Sequence, residues 1–269
     1  MGTRGLVKGI LSQFANYKGK NYNTTMIDSR RTKSDYYKYF SFFIDPKLWL
    51  RALKRPNIAL ESFLVLLRYP HFYAIGRNMP YGTGFVLGSR LYKTVLDTKC
   101  QSPNVIEVGA WKGESTIYLS LAAKRAGKRV RTFELFSGLP TINPEYDSSF
   151  EMGQFSAEVS EFENNVKTYG CREVVDLVIG DARQTMLPAI GDGGFCVAFL
   201  DVDVYEVMRE LLFQLWSKAK GGEQIIVHDI WSPGVRKAVD EFHDLSGHCM
   251  KESIDSAKYV AFLQLPLKI

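Results

Sequence analysis

The stretch VIEVGAWKGES, residues 105–115, passes from an apolar strand into a turn with two glycines and then into a helix. Gly109 and Gly113 leave the backbone of that turn bare, so a ligand can lie against it. Their spacing is not the GxGxxG of dinucleotide-binding folds, which disfavours a nicotinamide oxidoreductase. Glu107 and Glu114 would repel a diphosphate and favour a ligand with a cationic part, such as S-adenosylmethionine. The alternative is a plain tight turn with Glu107 as a surface acid.

Predicted strands and helices alternate from Pro103 onward. Apolar runs predict strands over 104–109, 129–135, 174–181, 196–203 and 223–230, and a terminal strand or strand pair over 253–266. Helices are predicted over 82–99, 114–127, 157–170, 205–222 and 232–247, with a short turn or helix after residue 181. Strands separated by helices of this length form parallel βαβ units. The sequence therefore predicts an α/β fold with a doubly wound, mostly parallel sheet.

Residues 1–80 do not follow this alternation and are predicted to form a basic, aromatic N-terminal arm and helical lid on the domain of residues 81–269. Residues 1–40 hold eight Lys or Arg against two acids. Helices are predicted from Asp45 and over 57–70. Such an arm could contact RNA, an anionic substrate or an acidic membrane surface. Because no nucleic-acid motif accompanies the charge, the favoured interpretation is a solvated leader, with neither nucleic acid nor membrane as a partner.

Composition indicates an ordinary soluble protein. The chain has 269 residues, of which 46% are hydrophobic, enough for one full core. Its four cysteines have no CxxC spacing, so we expect reduced thiols rather than a disulfide frame or zinc site. No apolar run approaches the roughly 20 residues of a membrane span. These features predict a cytoplasmic protein.

Acidic residues close nearly every predicted strand, where ligands of parallel sheets gather. Glu134 closes the second strand and could accept hydrogen bonds from two ribose hydroxyls. Asp181 closes the third and could accept from an exocyclic amine of a base, or cap the next helix. With Glu107, these acids predict a nucleoside-binding edge.

Two later segments, FLDVDVYE and VHDIW, carry groups suited to chemistry. Asp201, His228 and Asp229 could hold a divalent cation with positions left open for substrate. Asp203 is then a candidate general base, and His228 is the candidate if no metal binds. The alternative is that Asp203 caps the following helix and His228 is a satisfied core group.

Five segments together resemble the macrocin O-methyltransferase family, whose members use S-adenosylmethionine to methylate sugar hydroxyls in natural products. The resemblance covers about residues 80–245, and its most specific parts are the GLP after the second strand and LDVDVYE. The segments are VIEVGAWKGES, ELFSGLP (134–140), VIGDARQTMLP (178–188), FLDVDVYE (199–206) and VHDIWSPGVRKAVDEF (227–242).

The resemblance implies a class I, Rossmann-like sheet of seven strands with the last antiparallel. It also implies that Glu134 holds the ribose and that Asp181 lies near the adenine. Magnesium would be bound by Asp201 and the pair His228 and Asp229, with a nearby acid or histidine as base. The residues implied to line the methionine end of the cofactor are Glu107, Gly109, Gly113 and Ser115.

Two positions depart from the family pattern. Glu134 stands where the family has Asp, and His228 stands where it has an acid. The histidine lowers the negative charge of the metal site by about one unit near neutral pH, which puts magnesium in doubt and leaves manganese open. In related enzymes the N-terminal region forms a lid and oligomer contacts. The resemblance therefore implies that this chain could form a homo-oligomer.

The sequence therefore predicts an S-adenosylmethionine-dependent, metal-dependent O-methyltransferase acting on a hydroxyl of a sugar or other small natural product, with a glycosylated acceptor favoured. Two rivals remain open. One is a catechol-type small-molecule methyltransferase on the same sheet. The other is a non-catalytic nucleoside-binding or RNA-binding protein that uses the basic arm.

Overall fold

A computed structural model describes Tyr69, Phe72, Ile75 and residues 83–247, 251–255 and 260–266. Most of the predicted N-terminal arm, including the helices expected between residues 45 and 70, lies outside the described residues. In the parts of the chain that are described, no helix is both long and apolar enough to cross a membrane.

The sheet has seven strands in the order β3-β2-β1-β4-β5-β7-β6. β1 to β5 pair in parallel, and β7 runs antiparallel to β5 and β6. This confirms the predicted mostly parallel sheet and resolves the C-terminal segment as a strand pair. The strands are β1 (Asn104–Val108), β2 (Arg129–Glu134), β3 (Val175–Ile179), β4 (Val197–Leu200), β5 (Gln224–Val227), β6 (Lys251–Asp255) and β7 (Val260–Gln264).

Helices cover both faces of the sheet, as a doubly wound fold requires. One apolar core lies between the sheet and α1, α2 and α3, and the other between the sheet and α4, α5 and α6. Neighbouring strand residues alternate between these cores: Ile106 and Val108 face the second, whereas Val105 faces the first. The helices are α1 (Gly84–Asp97), α2 (Glu114–Ala126), α3 (Val159–Tyr169), α4 (Ala182–Ile190), α5 (Tyr205–Lys218) and α6 (Pro233–Leu245).

The carboxyl ends of β1 to β5 lie along one edge, because the five strands are parallel. Along that edge the strands follow the order β3, β2, β1, β4, β5, which places Asp181 at one end and His228 at the other. Gly109 lets the ends of β1 and β4 come together: a Cβ on it would lie 1.8 Å from the Asp201 carbonyl oxygen. Sheet topology therefore brings the predicted site residues to one edge.

Glu114 ties α1 to the same edge. Its carboxylate accepts hydrogen bonds from the backbone amides of Thr83 (3.2 Å) and Gly84 (2.9 Å), at the start of α1. A buried carboxylate at a helix N-terminus satisfies amides that have no partner within the helix and complements the helix dipole. Glu114 thus has a clear structural role beside the glycine turn.

Candidate active site

A single cavity of about 280 Å³ collects residues from the ends of all five parallel strands. Its lining includes both the predicted cofactor groups and the predicted chemical groups. The predicted residues in the lining are Gly109, Ser115, Glu134, Asp181, Asp201, Asp203, His228 and Asp229. Glu107 and Gly113 are not part of it. Most of the predicted site therefore shares one pocket.

Glu107 is completely buried under the pocket and does not line it. Its Oε2 accepts hydrogen bonds from the hydroxyls of Thr116 (2.7 Å) and Thr132 (2.8 Å), and its Oε1 has no partner in the described structure. Burial raises the pKa of Glu107, and hydrogen bonds from the surrounding hydroxyls offset only part of that increase. The resulting pKa is about 7. Glu107 is therefore not among the residues that line the cavity, and its predicted role at the methionine end stays a prediction.

Gly113 is needed for helix packing. It has a φ of +88°, and a Cβ on it would lie 3.0 Å from the side chains of Phe162 and Val166 in α3. A side chain here would push α3 away from the start of α2. Ser115, two residues on, lines the cavity, and its side chain also lies close enough to Glu107 to lower the pKa of that acid.

Glu134 lines the cavity, but its carboxylate is already engaged by the main chain. Oε2 accepts from the amides of Ala110 (2.7 Å) and Trp111 (2.6 Å), and Oε1 accepts from the amide of Phe136 (2.9 Å). A carboxylate offers about four acceptor positions, so roughly one remains for a ribose hydroxyl. The main role of Glu134 in this structure is therefore to hold the glycine turn through backbone hydrogen bonds. Its residue type alone did not indicate this role.

Asp181 is the N-cap of α4. Its Oδ1 accepts from the backbone amide of Arg183 (3.0 Å), and Oδ2 lies 2.5 Å from the Arg183 guanidinium. The hydrogen bond and charge of Arg183 lower the pKa of Asp181 below its ordinary value. The alternative role predicted for this residue, a helix cap, is present, and its side chain still lines the cavity.

Asp201, His228 and Asp229 form a compact cluster at the ends of β4 and β5. His228 Nδ1 lies 3.0 Å from Asp201 Oδ1 and 2.9 Å from Asp229 Oδ2, and Trp231 Nε1 donates to Asp229 Oδ1 at 2.6 Å. Burial opposes the charged form of His228, but the two carboxylates outweigh it and raise its pKa to about 11. At Asp229, burial raises the pKa, but the hydrogen bond and the charge of His228 outweigh that effect. The pKa of Asp229 therefore lies below its ordinary value.

Asp203 and Asp229, two acids of the site, have left-handed backbone conformations. The φ of Asp203 is +61°, in the left-handed region that non-glycine residues rarely adopt, and Asp229 has a φ of +52°. Such strain clusters at functional sites. Burial, followed by the charge of Asp201, raises the pKa of Asp203 to about 9. Asp203 faces the cavity.

The N-terminus of α5 is capped by Asp147, which the sequence did not single out, and not by Asp203, the cap named as an alternative in the sequence analysis. The N-cap position of α5 is Val204, whose side chain makes no capping bond. Instead Asp147, from the loop after β2, accepts from the amides of Tyr205 (3.0 Å) and Asn143 (3.0 Å). The sequence feature that could have pointed to a distant cap is the apolar residue at the N-cap position of α5.

Topology and pocket together define a class. A doubly wound seven-stranded sheet, with one antiparallel strand next to β5 and a pocket across the ends of β1 to β5, is the class I S-adenosylmethionine-dependent methyltransferase fold. Residues 91–261 match the model of the macrocin-O-methyltransferase (TylF) family. The chain belongs to that family.

The chain is also similar to individual proteins, and the solved structures among them share its fold. The mycinamicin III 3''-O-methyltransferase of Micromonospora griseorubida is 26% identical over 157 residues, which span 54% of this chain and 61% of that protein. The structure of the O-methyltransferase NovP matches with a TM-score of 0.59 at 22% identity, over 68% of this chain and 81% of NovP. An O-methyltransferase from Bacillus cereus, solved with SAH, matches with a TM-score of 0.52 at 15% identity, over 77% and 97% of the two chains.

Proposed function

We propose that the protein is an S-adenosylmethionine-dependent O-methyltransferase that acts on a hydroxyl of a glycosylated natural product. The observation that carries this proposal is the shared cavity, which is lined by residues from the ends of β1, β2 and β3 and, at β4 and β5, by an acid–imidazole cluster. Membership of the macrocin-O-methyltransferase family and the name of the mycinamicin relative support a natural-product acceptor.

The donor half of the pocket suits a cationic nucleoside. Glu134 and Asp181 line it at successive strand ends, and Ser115 and the bare turn at Gly109 are also part of its wall. The two carboxylates add negative charge to the pocket, which favours a donor of net positive charge over a diphosphate ligand. We assign the ribose to the remaining acceptor position of Glu134, the adenine to the side of Asp181, and the methionine end to Gly109 and Ser115.

The acid–imidazole cluster fits a divalent cation. One ligand atom each from Asp201, His228 and Asp229 lie within 4.8 Å of one another. His228 Nδ1 is hydrogen-bonded to both carboxylates, so the imidazole would have to lose its proton before it could serve as a ligand. These three residues would hold the ion, and a divalent cation bound there lowers the pKa of an acceptor hydroxyl. One imidazole and two carboxylates accept manganese as well as magnesium.

Methyl transfer then requires positioning and one proton transfer. The acceptor hydroxyl gives its proton to a base of the protein, its oxygen forms a bond to the methyl carbon, and the bond from carbon to sulfur breaks to leave SAH. Asp203 is the candidate base if the cluster holds an ion, and His228 is the candidate if it does not; both lie at the end of the cavity away from Asp181. Because the raised pKa values of both groups favour their protonated forms near neutral pH, we expect turnover to rise with pH. Holding the reactants in line accounts for most of the acceleration that such a site offers.

The test is methyl transfer from radiolabelled S-adenosylmethionine to mycinamicin III, with catechol and a structured RNA as comparison acceptors. We expect S-adenosylmethionine to bind, label to enter the macrolide glycoside, and EDTA to remove the activity until Mn²⁺ or Mg²⁺ is added. Label in catechol alone would favour the catechol-type rival. Absence of S-adenosylmethionine binding by calorimetry would overturn the proposal, and activity that persists in EDTA would overturn its metal part.

A further inference from the structure

We propose that Trp111 and Phe155 form a clasp over the nucleoside half of the donor pocket and set the affinity for the donor independently of the acceptor. This inference rests on the proposed function, because it concerns the same pocket. The name clasp refers here to these two side chains and to the hydrogen bond that joins the Trp111 indole to the backbone of Ser156.

Two contacts join the glycine turn to the loop after β2 at the clasp. The rings of Trp111 and Phe155 meet edge to face, with centroids 5.9 Å apart and planes at 73°. The indole Nε1 of Trp111 donates to the Ser156 carbonyl oxygen at 3.1 Å. Both residues line the cavity. The clasp is therefore part of the pocket wall, and it is made from segments 44 residues apart in the chain.

Its position along the sheet edge identifies the part of the ligand that it covers. The Trp111 amide donates to Glu134 Oε2 at 2.6 Å, so the clasp lies at the ends of β1 and β2. Asp201 and His228 come from β4 and β5, on the other side of β1. A ligand group under the clasp consequently belongs to the donor, beside the ribose position at Glu134, and is not the acceptor hydroxyl.

Backbone strain occurs on both sides of the clasp. Trp111 has a φ of +44° and Phe155 a φ of +63°, which are costly conformations for aromatic residues. Such conformations persist where the surroundings enforce them, commonly at ligand clamps. Both residues line the cavity while they hold these conformations.

The solvent exposure of Phe155 explains why ligand binding at the clasp would be favourable. Phe155 is 39% exposed although it lies in the cavity wall, so part of its ring still faces solvent. A nucleoside offers apolar sugar carbons and a flat base, and covering an aromatic ring with such groups is favourable. We expect the ring of Phe155 to be covered when the donor binds.

Calorimetry with SAH and with S-adenosylmethionine tests the clasp in the full-length protein. Phe155→Ala should weaken the binding of both by about tenfold, and Trp111→Phe, which keeps a ring but loses the bond to Ser156, by a few-fold. Phe155→Leu should recover part of the loss. The acceptor KM, measured at saturating donor, should stay unchanged in all of them. The matched control is Met152→Ala, because Met152 is in the same loop and is 72% exposed, and its donor affinity should equal that of the wild type.

A second substitution separates the ring from the strain. Phe155→Gly removes the ring and also relieves the positive φ, so it should stay folded in a thermal melt and still bind SAH weakly. If wild-type protein binds neither SAH nor S-adenosylmethionine, the proposed function fails. If the wild type binds both and Phe155→Ala and Trp111→Phe bind them equally well, the clasp is refuted while the proposed function stands.

Discussion

Replacing Asp201 with Asn is expected to lower kcat by about 100-fold or more, with the affinity for SAH preserved. Asn keeps the shape of the side chain but removes one of the two negative charges that surround His228 Nδ1. It therefore weakens the cluster that would hold the cation and orient the acceptor. Donor affinity should survive, because Glu134 and Asp181 stand on other strands.

Two measurements check this prediction: kcat across a Mn²⁺ titration and the dissociation constant of SAH. Asp192→Asn is the matched control, because the Asp192 side chain is fully exposed beside Lys218 and should tolerate the change in both assays. Wild-type turnover and an unchanged response to Mn²⁺ in Asp201→Asn would contradict the role assigned to the cluster.

Replacing Gly109 with Ala is expected to lower the free energy of unfolding by on the order of 3 kcal/mol and to remove measurable donor binding. The added Cβ would lie 1.8 Å from the carbonyl oxygen of Asp201, a backbone atom that cannot rotate away. In addition, the φ of +81° is unfavourable for alanine. Relief of the clash must separate the ends of β1 and β4, which carry the two halves of the pocket.

Gly127→Ala provides the comparison for urea unfolding. Gly127 has a φ of +66° at the end of α2, but a Cβ there meets nothing within 4 Å. Its cost should be only the conformational one, about 1–2 kcal/mol, with SAH binding retained. If the two variants lost equal stability, the clash between a Cβ at position 109 and the Asp201 carbonyl oxygen would not contribute to the loss.

Sheet and helices were predictable because their signals are local. Alternating apolar runs and turn glycines gave β1 to β5 and the helices between them, with α2 ending at the predicted Gly127. The gathering of Asp181, Glu134, Asp201 and His228 at one edge followed from parallel strands alone. Only strand direction was needed for that inference.

Side-chain orientation was harder to predict, because both faces of a central strand are buried. Glu107 lies on the face of β1 toward α2 and thus underneath the pocket, whereas Val108 lines it. An apolar strand gives no alternation from which that face could be read. The Asp147 cap and the clasp join segments 58 and 44 residues apart, and no local pattern specifies such partners.

The most direct measurement is a crystal structure of the protein with SAH and Mn²⁺, with the ion located by its anomalous scattering. The expected result is SAH with its nucleoside over the ends of β1, β2 and β3 beside Glu134, its sulfur directed toward β4, and the ion held by Asp201, His228 and Asp229. SAH in the reverse orientation, or bound away from this edge of the sheet, would contradict it.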